Sequence, residues 1–423
     1  MLKFLNKNHR FLLLFLCLAG SWLTTLHAQE SPPPDTARVL ITGKMPMDSI
    51  RTDTMKIVED NALDIAQNRG LFILTPDRKV QLRILGSVRF LAVVDNRDMT
   101  SKNGFKSIEI PVGQNDRDQP NYYNGLDQTR LGFEVTRATE MGNIFVRLET
   151  DFAGPNGYRI RHAYGQFRRF LFGQTWSLFS QITTLPATVD FSGPTGAITV
   201  RTPQIRYSFQ FKRNYTISVG LEYSKTEENL PDSLQVKVFQ LIPDVTARIQ
   251  KNTDWGILQL SGIMPVLTGS TPNDKFIVKY GWGISFSTML NSWLQGKWYI
   301  QGAGGRAISR FFNDFAGQGL DIVIDPETLN EQLPLTFGGY IAYEHQWKEN
   351  LYSNISYGIQ LIEKYSLFAP ESFHRGQTFH LTTFWTIIEG ARMGIEFIYG
   401  QRYNLDKSHG SASRINMLFY YDF

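Results

Sequence analysis

From Val80 onward, apolar and polar residues alternate along the chain, and the connections between the alternating segments themselves alternate in length. Alternation with period two predicts β-strands that have one apolar and one polar face. Every second connection is very short: Thr139–Met141, Arg169, Lys212–Arg213, Lys251–Thr253, Met289–Asn291, Lys348–Asn350 and Glu389–Gly390. The connections between them are mostly long, and this asymmetry is typical of barrels in outer membranes. A soluble sandwich has no reason to separate loop lengths in this way.

Sixteen segments fit the strand pattern, an even number as expected of single-chain bacterial barrels. They are 80–95, 127–138, 142–153, 158–168, 170–177, 201–211, 214–224, 236–250, 254–266, 276–288, 292–303, 334–347, 351–364, 376–388, 391–402 and 412–423. No apolar run after residue 28 approaches the roughly 20 residues of a membrane helix. Helical membrane proteins are thereby excluded, and a secreted soluble β-protein is the remaining alternative. We predict an all-β fold, a transmembrane antiparallel β-barrel of about 16 strands formed by residues 80–423.

The first 28 residues have the three-part layout of a secretory signal. Three basic residues precede the apolar run Phe11–Leu23, and Leu26–Ala28 offers a small residue at a cleavage position. A membrane anchor is the alternative, but the run is too short to span a bilayer comfortably. We predict a cleaved signal peptide, 1–28, and export to the outer membrane of a Gram-negative type of cell. Cys17 is the only cysteine, so cleavage would leave no disulfide or thiol chemistry.

Residues 29–79 separate the signal from the predicted barrel and form a short N-terminal periplasmic segment. Pro32–Pro34 predict a stiff, extended spacer. The segment Ile57–Arg69 predicts one short helix closed by Gly70. It has fewer than two heptads, too few for a coiled coil. A surface helix, a partly disordered leader and a short oligomerising helix all remain open, as does a segment that plugs the pore.

The net charge of the chain carries little information about partners. The whole chain has 43 basic and 39 acidic residues, and removal of the three basic residues of 1–28 leaves 40 against 39. We therefore expect no binding of nucleic acid. The distribution of the charges is more informative than their sum.

Arginines recur on the polar face of the early strands. They are Arg83, Arg89, Arg130, Arg147, Arg159, Arg161 and Arg206. Glu134, Glu149 and Asp151 share these faces and oppose only part of the charge. A guanidinium stays charged and fits a carboxylate bidentately, and rings of arginine in a narrow lumen favour anions. Alternatively, the arginines pair with nearby carboxylates and hold the wall together, or Arg159 and Arg161 face neighbouring protomers.

The loop 178–200 has about two dozen residues, small, polar and proline-containing. A loop of this length in a compact domain is usually functional, and we predict that this third loop folds inward and narrows the lumen. Asp190 is its only acidic residue, and we expect it to pin the loop to an arginine of the wall. Glycines and prolines within the loop provide the turns.

The last predicted strand has a clear division of faces. Ile415, Met417, Phe419, Tyr421 and Phe423 share one face, and Arg414, Asn416, Leu418, Tyr420 and Asp422 share the other. Alternating aromatics that end on Phe423 resemble the signal by which outer-membrane barrels bind their assembly machinery. Any edge strand with this composition is the alternative.

Several segments in order resemble the DcaP-type trimeric outer-membrane porins. They are Arg130–Phe133, Arg161–Gly165, Gly173–Ser177, Thr188–Phe191 with Gly193–Pro194, and Pro203–Tyr207. The resemblance implies a homotrimer of sixteen-stranded barrels in outer-membrane lipid. It also implies uptake of small anionic solutes, such as dicarboxylates and aromatic acids, through an arginine-rich constriction. The long N-terminal coiled coil of that family is replaced here by the spacer and the short helix.

Other functions fit the residues less well. An outer-membrane hydrolase lacks a nucleophile elbow, a paired-histidine helix and Cys/His metal spacing, so we expect no enzyme and no cofactor. Calcium binding by Asp314, Asp321, Asp325 and Glu327 is possible, but we expect a solvated loop there. A sugar- or general-solute porin would need aromatic tracks and mixed acidic and polar pairs. A non-transport structural barrel would not need luminal arginines or a long third loop.

Overall fold

Sixteen antiparallel strands close into a barrel in the computed structural model of the chain. The structure describes residues 40–44, 64–66, 68–113, 119–228, 236–270, 276–325, 328, 330–365 and 367–423. The predicted signal peptide, 1–28, and the Pro-rich spacer lie outside these residues. Among the residues described, no helix is long and apolar enough to cross a membrane.

The barrel strands run in chain order, each hydrogen-bonded to the next. They are β3 (Val80–Asp95), β5 (Arg130–Arg137), β6 (Ile144–Asp151), β7 (Arg159–Phe167), β8 (Phe170–Trp176), β9 (Arg201–Lys212), β10 (Tyr215–Glu222), β12 (Asp244–Thr253), β13 (Gly256–Met264), β16 (Trp282–Ser292), β17 (Gly296–Arg306), β20 (Leu335–Lys348), β21 (Leu351–Ile362), β22 (Phe373–Ile388), β23 (Ala391–Asn404) and β24 (His409–Asp422). β24 pairs with β3 from Arg414↔Asp95 to Asp422↔Ser87, which closes the sheet. The predicted all-β barrel of sixteen strands is confirmed.

The remaining strands are additional to the sixteen: three extend the same hydrogen-bonded sheet, and five form two small separate sheets. They are β1 (Leu40–Lys44), β2 (Arg69–Leu74), β4 (Asn121–Gly125), β11 (Lys237–Phe239), β14 (Val266–Ser270), β15 (Phe276–Tyr280), β18 (Val323–Ile324) and β19 (Glu331–Gln332). Short 3-10 helices span Ser107–Glu109, Ile182–Thr184 and Ser309–Phe311.

Short turns connect the strands at one end of the barrel, the turn end, and longer loops connect them at the other, the loop end. We number the loops L1 (96–129), L2 (152–158), L3 (177–200), L4 (223–243), L5 (265–281), L6 (307–334), L7 (363–372) and L8 (405–408). L2 and L8 are the short ones among them. The predicted separation of turns from loops by parity is confirmed except at L8: the long loop predicted at 403–411 is wrong, because L8 is shorter than the turn at 138–143.

Two of the predicted turns are misplaced. Lys251–Thr253 and Met289–Asn291 continue the ladder, and the chain reverses at 254–255 and 293–295 instead. Polar residues at the rim of a barrel resemble turn residues, so their composition does not mark the end of the strand. The predicted strand 236–250 is also divided: β11 pairs with β14 in a separate three-stranded sheet of the loops, and the barrel strand begins at Asp244.

The two faces of each strand follow the predicted alternation. On one face of β24, the side chains of Ile415, Met417, Phe419 and Tyr421 are about half exposed, as is Phe423 directly after the strand. On the other face, Arg414 and Tyr420 are buried. Trp255, Trp293 and Trp347 are exposed at or next to turns of the turn end, and Trp293 is 93% exposed. An apolar exterior with aromatic residues at its border suits a lipid environment.

L3 folds into the lumen, as predicted, and most of its residues are buried. Its Gly196 has a positive φ of 85° and lies directly against the main chain of the opposite wall. A Cβ there would overlap backbone atoms of Gly339 and Ile359. The loop therefore contacts the wall through main chain at this point.

L6 also folds inward, which the sequence analysis did not anticipate. Phe312 bridges to Ile198 of L3, and Asn313 N donates to Ala197 O at 3.0 Å. Phe311 and Phe315 are fully buried in the same cluster. L3 and L6 thus form one packed body inside the loop half of the barrel.

The described part of the leader, as we call residues 29–79, contains two strands. β1 pairs with β2, and β2 pairs with residues 81–84 of β3 at the turn end. The predicted helix Ile57–Arg69 lies largely outside the described residues. Its described C-terminal part is wrong, because Asp64–Ala66 are not helical and Arg69 begins β2. Residues 71–74 of β2 are all apolar, and their burial alternates: Phe72 and Leu74 are buried, whereas Leu71 is exposed.

Candidate functional site

A cavity of 470 Å³ lies between L3 and the wall formed by the early strands. Seven cationic side chains line it: Arg89, Lys102, Lys106, Arg130, Arg159, Arg161 and Arg201. Two acidic side chains, Asp64 and Asp190, line it as well. Cations therefore predominate on its surface.

One side of this cavity is an ion-pair network on β5–β7, which we call the arginine wall: Arg130, Arg147, Arg159 and Arg161 with Glu134, Glu149 and Asp151. Arg161 Nε donates to Glu149 Oε1 at 2.7 Å, and its Nη1 donates to Asp151 Oδ2 at 3.0 Å. Arg159 binds Asp151 through two nitrogens, at 3.0 and 2.6 Å. The wall arginines thus pair with carboxylates, and Arg130, Arg159 and Arg161 also line the cavity.

A β-bulge determines which side chains of β7 face inward. In the β6–β7 ladder Glu149 pairs with His162 and Thr150 pairs with Ile160, so Arg161 is the extra residue. The bulge buries both Arg161 and His162. Strict alternation along β7 predicts that Ala163 and Gly165 share the face of Arg159 and Arg161, but this is wrong, because parity reverses at the bulge and His162 and Tyr164 point inward.

Arg147 belongs to the wall but is absent from the lining of the cavity. It donates to Glu149 Oε2, and its Nε lies 3.6 Å from Glu134 Oε1. Its role in the geometry is to hold Glu149 next to Arg161.

Arg83 and Arg206 hold main chain. Arg83 donates to Arg69 O at 2.6 Å and to Ala66 O at 2.7 Å, and it pairs with Glu134 at 2.8 Å. Arg206 donates to Trp176 O, at the start of L3. Neither arginine lines the cavity; both fix the backbone of segments that do.

Arg89 and Arg130 face the cavity from β3 and β5. Arg89 is buried, donates to Ser87 Oγ at 2.9 Å and lies over the ring of Tyr420. Arg130 Nη1 donates to Asp64 Oδ1 of the leader at 2.8 Å, and Glu149 Oε1 lies 4.0 Å from the same nitrogen.

Sequence reasoning missed three of the cations in the cavity. Arg201 lies 3.5 Å above the ring of Trp176. Parity assigned it to the outer face, but it is the first residue of β9, where the side chain is free to turn inward. Lys102 and Lys106 come from L1, and no period in a loop predicts their direction. The available signal in the sequence was the position of Arg201, which is the first residue of the predicted strand 201–211 and directly follows the long loop 178–200.

On its opposite side, L3 binds uncharged serine and glutamine side chains of β13, β16 and β17. We call this set the hydroxyl wall; its members are Gln259, Ser261, Ser285, Ser287 and Gln301. Gln181 of L3 donates to Ser261 Oγ at 3.0 Å and to Ser285 Oγ at 3.3 Å. Gln259 donates to Thr183 Oγ1 at 2.9 Å, and Gln301 donates to Gly196 O at 2.9 Å. L3 is thus attached to the neutral wall and faces the charged one.

Asp190 joins L3 to L1 and to the wall. Its carboxylate accepts from Phe105 N at 2.7 Å and from Ser192 N at 2.8 Å. Its Oδ2 lies 3.9 Å from Nη1 of Arg414, an arginine of barrel strand β24. Burial raises the pKa of Asp190 to about 7, and the neighbouring Glu396 acts in the same direction. Asp190 N also donates to Glu396 Oε2 at 2.6 Å.

Carboxylates of L6 lie in the packed interior, so the expectation of a solvated loop is wrong for Asp314 and Asp321. Asp314 accepts from Ser107 N at 2.9 Å and from Thr195 Oγ1 at 3.0 Å, and burial raises its pKa. Asp321 pairs with Arg310 at 2.9 Å. Glu327 lies outside the described residues, among which no group of acidic, His or Cys side chains is arranged to hold a metal ion.

A sequence profile of the DcaP outer membrane protein family matches residues 56–301 and 329–423, most of the chain. The chain belongs to the DcaP family. The unmatched interval falls mainly in L6, the loop that also folds inward. A search of curated proteins found no match to the chain.

Solved structures share the fold of this DcaP family member. The outer membrane channel DcaP of Acinetobacter baumannii superposes with a TM-score of 0.72 at 21% identity, covering 82% of this chain and 98% of that one. An anion-selective porin from Comamonas acidovorans superposes with a TM-score of 0.54 at 9% identity, covering 82% of this chain and 100% of that one. OmpT of Vibrio cholerae in a trimer form superposes with a TM-score of 0.50 at 10% identity, covering 82% of this chain and 100% of that one. The chain has the fold of an outer-membrane porin.

Proposed function

We propose that this DcaP-family barrel is a passive channel for small anionic solutes, including dicarboxylates and aromatic acids, with its filter between L3 and the arginine wall. The observation that carries the proposal is the excess of seven cations over two carboxylates around a cavity of 470 Å³. In a low-dielectric lumen, fixed guanidinium groups attract carboxylates and repel cations. The seven arginines of the sequence analysis divide into four that line this cavity and three that support it.

Trimerisation, export and assembly are parts of the same proposal. A porin of the same fold, V. cholerae OmpT, has a trimer form, which supports a homotrimer here. Removal of residues 1–28 by a signal peptidase would place the chain in the periplasm. The outward aromatic face of β24 suits recognition by the barrel-assembly machinery.

The test is the reversal potential of the refolded protein in planar bilayers under a KCl gradient. We expect anion selectivity and closure in three equal steps. Arg201→Gln removes a luminal cation that stacks on Trp176, and we expect the chloride-to-potassium permeability ratio to fall several-fold. Arg213→Gln, in an exposed turn, removes the same charge away from the lumen and serves as the matched control.

A cation-selective channel would contradict the proposal. Anion selectivity that drops equally in both variants would assign it to overall charge and leave a general-solute porin. Block of the current by maltose but not by succinate would favour a sugar porin.

A further inference from the structure

Upstream of β2, the described residues 64–66 of the leader lie against the arginine wall, near the turn end of the barrel. Arg69 of β2 pairs with Glu389 of the turn 389–390 at 3.0 Å, which places it at the mouth. Five residues span at most about 18 Å when extended. Asp64 therefore lies at most about 18 Å from Arg69 at the mouth. Arg83 fixes the backbone between them by donating to Ala66 O and Arg69 O.

The carboxylate of Asp64 lies in the lumen between two arginines. Its Oδ1 accepts from Arg130 Nη1 at 2.8 Å and lies 4.0 Å from Arg161 Nη2. The side chain is only 4% exposed. Burial alone would raise the pKa of this carboxyl, but Arg130 and its neighbouring arginines outweigh burial and lower it to about 2. Asp64 is thus a carboxylate throughout the physiological pH range.

Asp64 differs from the other carboxylates of this network in its origin. Glu149 and Asp151 belong to β6 and are fixed by the ladder next to their arginines. Asp64 belongs to a segment that is hydrogen-bonded to the barrel at its base. Its one hydrogen bond to Arg130 and its 4.0 Å distance from Arg161 are contacts that a carboxylate ligand entering from the turn end could also make.

We propose that Arg130 and Arg161 form the carboxylate-binding site of the channel and that Asp64 occupies this site as a tethered competitor. The inference rests on the proposed anion-uptake function and specifies its binding site and its control. A permeating dicarboxylate exchanges with Asp64, and the leader returns when the solute leaves. If the tethered carboxylate fills the site nine-tenths of the time, the apparent affinity for a free carboxylate is about tenfold below the intrinsic one.

The test is the concentration of succinate that half-blocks the chloride current through the full mature chain. Asp64→Asn keeps the shape and removes the charge, and we expect the half-blocking concentration to fall about tenfold. Asp77→Asn, an exposed leader residue bound to Thr75, is the matched control and should leave it unchanged. Asp64→Asn combined with Arg130→Gln should abolish the gain, because the vacated site then lacks its main ligand.

The outcomes separate the two proposals. An anion-selective wild type whose succinate block is unaffected by Asp64→Asn would overturn the tethered competitor and leave the proposed function intact. A gain in Asp64→Asn that persists in the double variant would overturn the assignment of the site to Arg130. A wild type without anion selectivity would overturn both proposals.

Discussion

The two sides of the lumen hold L3 by different chemistry. On the hydroxyl wall, Gln181 and Gly196 of L3 exchange neutral hydrogen bonds with serines and glutamines. On the arginine wall, contact with L3 is through Phe191, whose ring lies 5.1 Å from the Arg159 guanidinium carbon. The bonds between L3 and the hydroxyl wall are neutral, whereas on the other side guanidinium groups face the cavity. Under the proposed function, one set of strands positions L3 and a different set provides the selectivity.

The largest effect is expected from a break in the arginine wall itself. Arg161→Ala leaves Glu149 and Asp151 without their shared partner, and removing one member of a buried ion pair costs about 3–5 kcal/mol. We expect a lower midpoint of denaturant unfolding together with a loss of anion selectivity. Arg161→Ala combined with Glu149→Gln should recover part of the stability but not the selectivity, and full recovery of both would contradict the division of roles.

A smaller effect is expected on the hydroxyl wall. Gln181→Ala removes hydrogen bonds to Ser261 and Ser285, and each buried group left unsatisfied costs about 1–3 kcal/mol. We expect a noisier and larger conductance because L3 is less firmly held, with the chloride-to-potassium ratio changed little. Gln210→Ala, on the exposed end of β9, is the control. A selective loss of anion preference in Gln181→Ala would show that the two walls are not independent.

The smallest effect is a pH dependence of L3. The pKa of Asp190 is raised to about 7 from 3.8, so the docked loop binds a proton more tightly than the free loop does. Docking is therefore strongest below about pH 4 and weakens as the pH rises to about 7. Burial is the main cause of the raised pKa and Glu396 adds to it, whereas Arg414 and His380, which also face this carboxyl, lower the pKa. We expect more frequent conductance fluctuations at pH 7.5 than at pH 5, and Asp190→Asn should remove the difference.

The sequence predicted the strands of the barrel far better than the loops and side chains that lie inside the lumen. Alternation is a local consequence of strand geometry, so β3, at Val80–Asp95, was located without error. The bulge at Arg161 was missed because one extra residue leaves no mark on composition. Arg201 and the inward course of L6 were missed because loop side chains are directed by tertiary packing. Asp64 was missed because its partner, Arg130, lies 66 residues away.

The contact of Gly196 with Gly339 has a consequence for how such a filter can diversify. Main chain meets main chain there, so the bore depends on the length and path of L3 and cannot be narrowed by a larger residue at that point. The charge around the bore depends on side chains such as Arg201, which are replaceable one at a time. Size cutoff and ionic preference can therefore evolve as separate traits on a single scaffold.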